Sequence, residues 1–427
     1  MNHLLRKFIF DLLVQPLIRL VDFLFPKVSR CWGFAVHHIK SDQFVENARA
    51  VFEYVKADSG IEKIIFSRTD DPDYGIEGAE NTRIVRLQSL RGLYWLLRCR
   101  VLFVMHSIAM DYSFRWGEKQ FSIPKLDLRK RAVVNLWHGI PLKALYALAN
   151  PGVRARLDRV RYRRMERSRY TGLISSSKID RCSMTACFHP IHPDRVWMTG
   201  LPRNDFLVQE FKGLPSYLQK QISGVRALKN GRRLVVYAPT YRQTAAVADA
   251  ACYQFTADEI ARLREVLRKH DAVFGFRMHY FRNSGSLFNM EKYIDNEWIV
   301  DLGHAVVPEV ACVIREADLV ITDYSSVYVD ALYLDKPILG FAYDLDQYLK
   351  NQDGLLYDMD VAFPGPVVQD FSSLLGEVDR GLSGRQLTGS DPYRIAQKIF
   401  FEYRDGRNAE RVVARVKAAI QAPYKYL

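Results

Sequence analysis

A chain of 427 residues is too long for one ordinary core, so two domains are expected. Hydrophobic residues at 48% and charged residues at 26% exclude a disordered chain, and six scattered cysteines without a CxxC pair exclude a disulfide framework or zinc pattern and fit a reducing compartment. The net charge of +13 asks for an anionic partner, a phosphorylated substrate or an acidic membrane face, while the lack of any RNP-like, helix-turn-helix or zinc-finger pattern disfavours nucleic acid.

Residues 1–30 open with the most apolar segment, MNHLLRKFIFDLLVQPLIRLVDFLFPKV. Arg6, Lys7, Asp11, Arg19 and Asp22 interrupt it too often for a membrane span, and no small-residue cleavage site follows. Two readings stay open: a helix packed on the protein's own core, or an amphipathic helix lying in the membrane interface, with Pro16 marking a kink or break. From residue 31 to 228 short apolar runs alternate with helical stretches. Phe44–Val55 has helical spacing, and Lys63–Ser67, Ile84–Leu87, Val101–Met105 and Ala132–Leu136 read as strands. A polar, turn-rich stretch from Gly213 to Asn230 suggests a domain boundary near 225–232. A second series over 229–395 predicts strands at Leu234–Tyr237, Ala272–Phe276, Val310–Ile314, Leu319–Ile321 and Ile338–Phe341. Residues 396–427 read as a helical segment packing back on the first domain. Such alternation predicts an α/β protein with parallel sheets.

Polar clusters follow several of these strands. Trp137-His138-Gly139 and Lys143 come after Ala132–Leu136, where open α/β sheets place ligands, and a neutral-range imidazole suits a general base. The bland alternative is a structural histidine beside a shaped turn. Gly200, Arg203, Asn204 and Asp205 lie on a rigid turn that either faces the ligand or connects domains. Thr240 and Arg242 follow Leu234–Tyr237, and Arg277 and His279 follow Ala272–Phe276. Arginine suits phosphate because its fork makes two charge-assisted bonds. Thr322, Asp323, Ser325 and Ser326 precede a helix pattern containing Asp330, and so form either an anion cradle or ordinary capping. Residues 151–170 carry eight arginines against Asp158 and Glu166, a solvated helix face or a surface for lipid headgroups and polyanions.

NLWHGIPLK, TGLPRNDF, YAPTYR, FRMH and ADLVITDYSSVYVDALYLDKPILGFAYDLDQY, in that order, resemble the CDP-glycerol glycerophosphotransferase family of teichoic acid synthesis, and FVENARAVFEYV resembles an early block of it. The resemblance spans about residues 40 to 350. It implies a GT-B-like fold, two Rossmann-like domains facing across a cleft: an acceptor-side domain at 31–228 and a nucleotide-donor domain at 229–395. It also implies transfer of glycerol phosphate from CDP-glycerol, or of ribitol phosphate from CDP-ribitol, to a lipid-linked or oligosaccharide acceptor with release of CMP. The product would be a teichoic-acid-like or capsule-like polymer made at the cytoplasmic face of the membrane, by a peripheral enzyme on an anionic surface.

The implied roles are His138 as base on the acceptor hydroxyl and His279 at the donor phosphates. Thr240, Arg242, Arg277, Thr322, Asp323, Ser325 and Ser326 would hold or neutralise the pyrophosphate, and Asp330 and Asp344 match acidic positions of the long motif. Trp137, Gly139, Lys143, Gly200, Arg203, Asn204 and Asp205 would line the acceptor side. No cofactor is expected and no carboxylate cluster has metal-ligand spacing, which leaves only a weakly bound divalent ion open. The competing readings are a GT-B glycosyltransferase using a nucleotide sugar and a non-catalytic membrane- or polymer-binding protein.

Overall fold

The computed structural model describes residues 3–37, 42–70, 72–117, 120–149, 151, 160–240, 253–278, 290–351 and 354–421. Seven strands, β1 (Val28–Ala35), β2 (Glu62–Ser67), β3 (Thr82–Arg86), β4 (Cys99–Val104), β5 (Ala132–Asn135), β6 (Gly172–Ser175) and β7 (Val196–Met198), form one parallel sheet in the order β3-β2-β1-β4-β5-β6-β7. Six more, β8 (Arg233–Tyr237), β9 (Ala272–Phe276), β10 (Ile299–Asp301), β11 (Leu319–Thr322), β12 (Ile338–Phe341) and β13 (Val367–Val368), form a second parallel sheet in the order β10-β9-β8-β11-β12-β13. Each order reverses once, between β1 and β4 and between β8 and β11. Doubly wound sheets bind ligands at such a reversal, beyond the carboxyl ends of the strands.

Burial on both faces explains why these strands read as unbroken apolar runs rather than alternating ones. Every residue of β4 and of β9 is buried. The run Val310–Ile314, expected as a strand, is instead part of the helix Val310–Glu316. A five-residue buried apolar run has no readable period, and tertiary packing decided between the two states. That helix packs on Ser216–Lys229, where Arg226 pairs with Glu316 at 2.9 Å and the Cys312 thiol faces the Leu218 carbonyl. The last helix, Asn408–Gln421, returns to the first half, and Lys417 meets Asp58 at 3.2 Å.

The N-terminal segment is helical from His3 to Leu24, with a π-helical turn at Phe10–Val14 ahead of Pro16. The wider turn accommodates the proline without breaking the rod. Gln15, Ile18 and Asp22 face the protein and are buried, and Asp22 is paired with Arg131 and Lys27. Most of its other apolar residues face outward, Leu13 being 65% and Leu24 69% exposed.

Candidate active site

In the first half the reversal between β1 and β4 is ringed by histidines. His37 follows β1, His106 follows β4 and His138 follows β5. His106 and His138 stack with centroids 4.6 Å apart, and His37 stands edge-on to His106 at 6.0 Å. The loop carrying His138 is built by short-range polar contacts. The Asn135 side chain accepts the Trp137 N–H at 2.8 Å, and Trp137 takes a left-handed backbone conformation with φ of 44°. A tryptophan holds that conformation only when its surroundings enforce it. Asn47, fully buried in the helix Glu46–Val55, does so by donating to the carbonyls of Leu136 at 2.9 Å and Trp137 at 3.0 Å. Its side-chain oxygen accepts the Arg203 N–H at 3.0 Å, so one amide ties the histidine loop to the Gly200–Asp205 turn.

The second half meets this loop directly. A Cβ placed on Gly139 would stand 3.3 Å from Ser326 Oγ and 3.6 Å from the Arg203 guanidinium, so glycine permits the close approach. Ser325 and Ser326 are half-buried, just after β11. Beneath them Arg203 donates to Asp330 at 2.7 Å, an ion pair between the two halves with both side chains almost fully buried. Burial holds the Asp330 carboxyl above its ordinary range, opposed by Arg203. Further along, the backbone at Lys143 pairs with Leu355, flanked by bonds between Ala144 and Gly354 and between Leu356 and Leu142. Lys143 itself lies over the Tyr348 ring, which stacks on Tyr324 at 4.0 Å.

Several expected ligand groups have structural partners instead. Thr322 donates to the Ala238 carbonyl at 2.6 Å, and Asp323 accepts both the N–H and the hydroxyl of Thr240, joining the ends of β8 and β11. Thr240, Thr322 and Asp323 therefore shape the floor of the reversal. The expected amide cradle is also smaller than its sequence suggested. The helix Val327–Tyr333 is two turns long, and the N–H groups of Tyr328 and Val329 already bond Ser325 and Ser326 carbonyls. Arg277 braces a loop through the carbonyls of Leu302, Val307 and Pro308, and burial pulls its pKa down to about 10. Asp205 caps the helix Asn408–Gln421 through the N–H groups of Asn408 and Ala409; burial pushes its carboxyl up to about 6. Gly200 is needed there because a Cβ would collide with the Asn408 side chain at 1.9 Å, and its φ is 78°. Asp330 forms the junction ion pair, and Asn204 is buried in the same turn as Arg203. Arg242 and His279 lie outside the described residues.

The structure thus brings together Trp137, His138, Gly139, Lys143, Arg203, Ser325, Ser326 and Asp330. Sequence reasoning missed His37, His106 and Asn47. His106 carries the signal that marked His138, a histidine at a strand's carboxyl end, and Asn47 lies within FVENARAVFEYV. A buried carboxylate was also missed. Glu309 accepts the Glu46 N–H at 3.0 Å and the Tyr217 hydroxyl at 3.3 Å, and burial pushes its carboxyl up to about 7.

In the stretch 151–170 the described side chains are not all a solvated face. Arg167 is buried against Tyr146 and donates to the His189 carbonyl, and Glu166 accepts the Ile108 N–H at 2.7 Å.

Two doubly wound sheets thus meet with a histidine loop against a serine-bearing turn, at the place where such sheets bind ligands. Residues 34–418 match the model of the CDP-Glycerol:Poly(glycerophosphate) glycerophosphotransferase family, and the chain belongs to that family. It is 26% identical over 290 residues to the teichoic acid ribitol-phosphate polymerase TarK of Staphylococcus aureus (strain NCTC 8325 / PS 47), an alignment covering 66% of this chain and 51% of TarK. It is 27% identical over 289 residues to the ribitol-phosphate polymerase TarL of the same organism, covering 67% of this chain and 47% of TarL. The chain therefore spans about half the length of these curated relatives. The wall teichoic acid polymerase TagF has the same fold, with a TM-score of 0.73 at 21% identity over 98% of this chain and 97% of TagF. A variant of TagF has been solved after soaking with CDPG.

Proposed function

We propose that this chain transfers a polyol phosphate, glycerol phosphate or ribitol phosphate, from its CDP ester to an acceptor hydroxyl in the synthesis of a teichoic-acid-like polymer. The observation that carries the reading is the contact of the His138–Gly139 loop with Ser326 over the buried Arg203–Asp330 pair. It supports a GT-B-like arrangement in which the two halves close over the donor. His138 takes the proton of the acceptor hydroxyl as that oxygen attacks the β-phosphorus. The new oxygen–phosphorus bond forms as the bond to CMP breaks, and CMP departs carrying the negative charge. Ser325 and Ser326 donate to the phosphate oxygens, and Arg242 and His279 take the charge-balancing roles that membership of the family suggests. Phosphoryl transfer asks a protein chiefly for positioning and charge stabilisation, and the reading needs no cofactor.

The N-terminal rod supports attachment to an anionic membrane surface at the cytoplasmic face. Among the described residues no helix is long and apolar enough to cross a membrane. Leu5, Phe8, Leu12, Leu13, Leu20 and Leu24 point outward, while Arg6 and Arg19 lie exposed along the rod and Lys130 sits over the Phe23 ring at 4.0 Å. An apolar face rimmed by cations suits the headgroup boundary. The acceptor is then lipid-linked and reached along the surface.

Nucleotide release tests the reaction. The chain, offered CDP-glycerol, CDP-ribitol and UDP- or GDP-sugars with a lipid-linked acceptor, should release CMP from a CDP-polyol and nothing from the sugars. Release of UDP or GDP would assign it to the glycosyltransferases. No release from any donor, with acceptor present, would favour a binding protein.

A further inference from the structure

We propose that His106 is a positioning residue for His138: a ring carried on the loop that Asp111 braces, against which the His138 imidazole is set. The inference deepens the reading of His138 as the base and rests on it. The loop after β4 is held from every side. Asp111, fully buried, accepts the N–H groups of Met105 at 2.8 Å and His106 at 2.9 Å, and its other oxygen lies 3.4 Å from His106 Nδ1. Arg68 donates to the carbonyls of Met110, Asp111 and Ser113 at 2.9–3.0 Å, and Glu166 takes the Ile108 N–H. The backbone of His106 is therefore fixed, and its ring lies beside the Asp111 carboxylate.

The His138 ring is set against this loop. Its Nδ1 faces the Met105 carbonyl at 3.4 Å. Two rings lie against the imidazole: His106 is 4.6 Å away at an interplanar angle of 23°, and Trp137 is 4.1 Å away at 35°. With the ring so set, Nδ1 keeps its proton toward the carbonyl and Nε2 keeps the lone pair for the acceptor hydroxyl. A base misplaced by about 1 Å loses on the order of 100-fold in rate.

The test uses the full chain with His106→Ala, His106→Phe and Asp111→Asn. The His138 tautomer is read by nitrogen-15 NMR, and kcat and donor KM by CMP release. Wild type should show one tautomer, with Nδ1 protonated. His106→Ala should show a mixture of tautomers and a kcat lowered at least tenfold at unchanged donor KM. His106→Phe, which retains a flat ring, should restore the single tautomer and most of kcat. An unchanged tautomer and kcat in His106→Ala would overturn the proposal, as would a failure of phenylalanine to restore them in a protein that melts like wild type. If His106→Ala does not fold, Asp111→Asn replaces it, with the same mixture of tautomers expected and an unchanged tautomer overturning the proposal. If wild type turns over no CDP-polyol, the failure belongs to the catalytic reading, and the tautomer alone decides the role of His106.

Discussion

Replacing Asn47 by alanine removes one side-chain amide that makes three buried hydrogen bonds, to Leu136, Trp137 and Arg203. Each such bond contributes about 1 kcal/mol net, but a buried group left without a partner costs about 1–3 kcal/mol. Two carbonyls and one N–H are stranded at once. The left-handed Trp137 also stores about 1–3 kcal/mol of strain, which relaxes when the brace goes and offsets part of the loss. At the middle of these ranges the sum is a destabilisation of about 4 kcal/mol, a large share of the roughly 5–15 kcal/mol of a typical domain. Urea unfolding should therefore show a lower midpoint at an unchanged slope. CMP release should fall by more than the unfolded fraction explains, because the relaxed loop carries His138. Asn47→Asp sharpens the test. Its ionised carboxylate keeps the Arg203 contact but faces two carbonyl oxygens, which raises its pKa in the folded state. A raised carboxyl pKa gives stability that is present at low pH and lost as pH rises, so this variant should regain stability on acidification while Asn47→Ala does not. Unfolding of Asn47→Ala at the wild-type urea concentration would refute the reasoning, as would lost stability with full activity in the folded fraction.

Three other outcomes follow from the junction and the rod. Arg203→Met or Asp330→Leu alone should each cost about 3–5 kcal/mol by leaving a buried charge, and the double variant should cost far less than the sum in a denaturation cycle. Glu309→Gln should flatten the stability-versus-pH curve between about 4.5 and 7. The folded carboxyl binds its proton up to about 7, the unfolded one only to its ordinary value of 4.5, so about 3 kcal/mol is present in acid and lost as pH rises through that window. Phe8→Glu with Leu13→Glu should lower partition onto anionic phospholipid vesicles about 30–100-fold in a sedimentation assay without changing the melting temperature.

Strands such as Val101–Val104 and Leu319–Ile321 were legible because burial on both faces writes them as β-branched runs, whereas β1, β10 and β13 were not read as strands. The run at 310–314 carried the same writing and folded as a helix, and β6 and β7, four and three residues long, carried too little. Site residues divided along another line. His138, Gly139 and Ser326 were legible because they follow strands whose ends converge. The protein partners of Arg277, Asp205 and Asp330 were not legible, because a charged side chain's type does not name its partner. The partners of Asp205 lie 203 and 204 positions away, and Arg203 is 127 from Asp330. Asn47 looked like one more polar residue on a helix, since its importance comes from two carbonyls about 90 positions downstream.

The most direct measurement is a crystal of the full chain soaked with CDP-glycerol. The account predicts both phosphates between the Gly139 backbone and the hydroxyls of Ser325 and Ser326, with the β-phosphorus within reach of an acceptor oxygen held by His138. Phosphates bound away from that junction, with His138 facing no part of the donor or of the adjoining pocket, would contradict it.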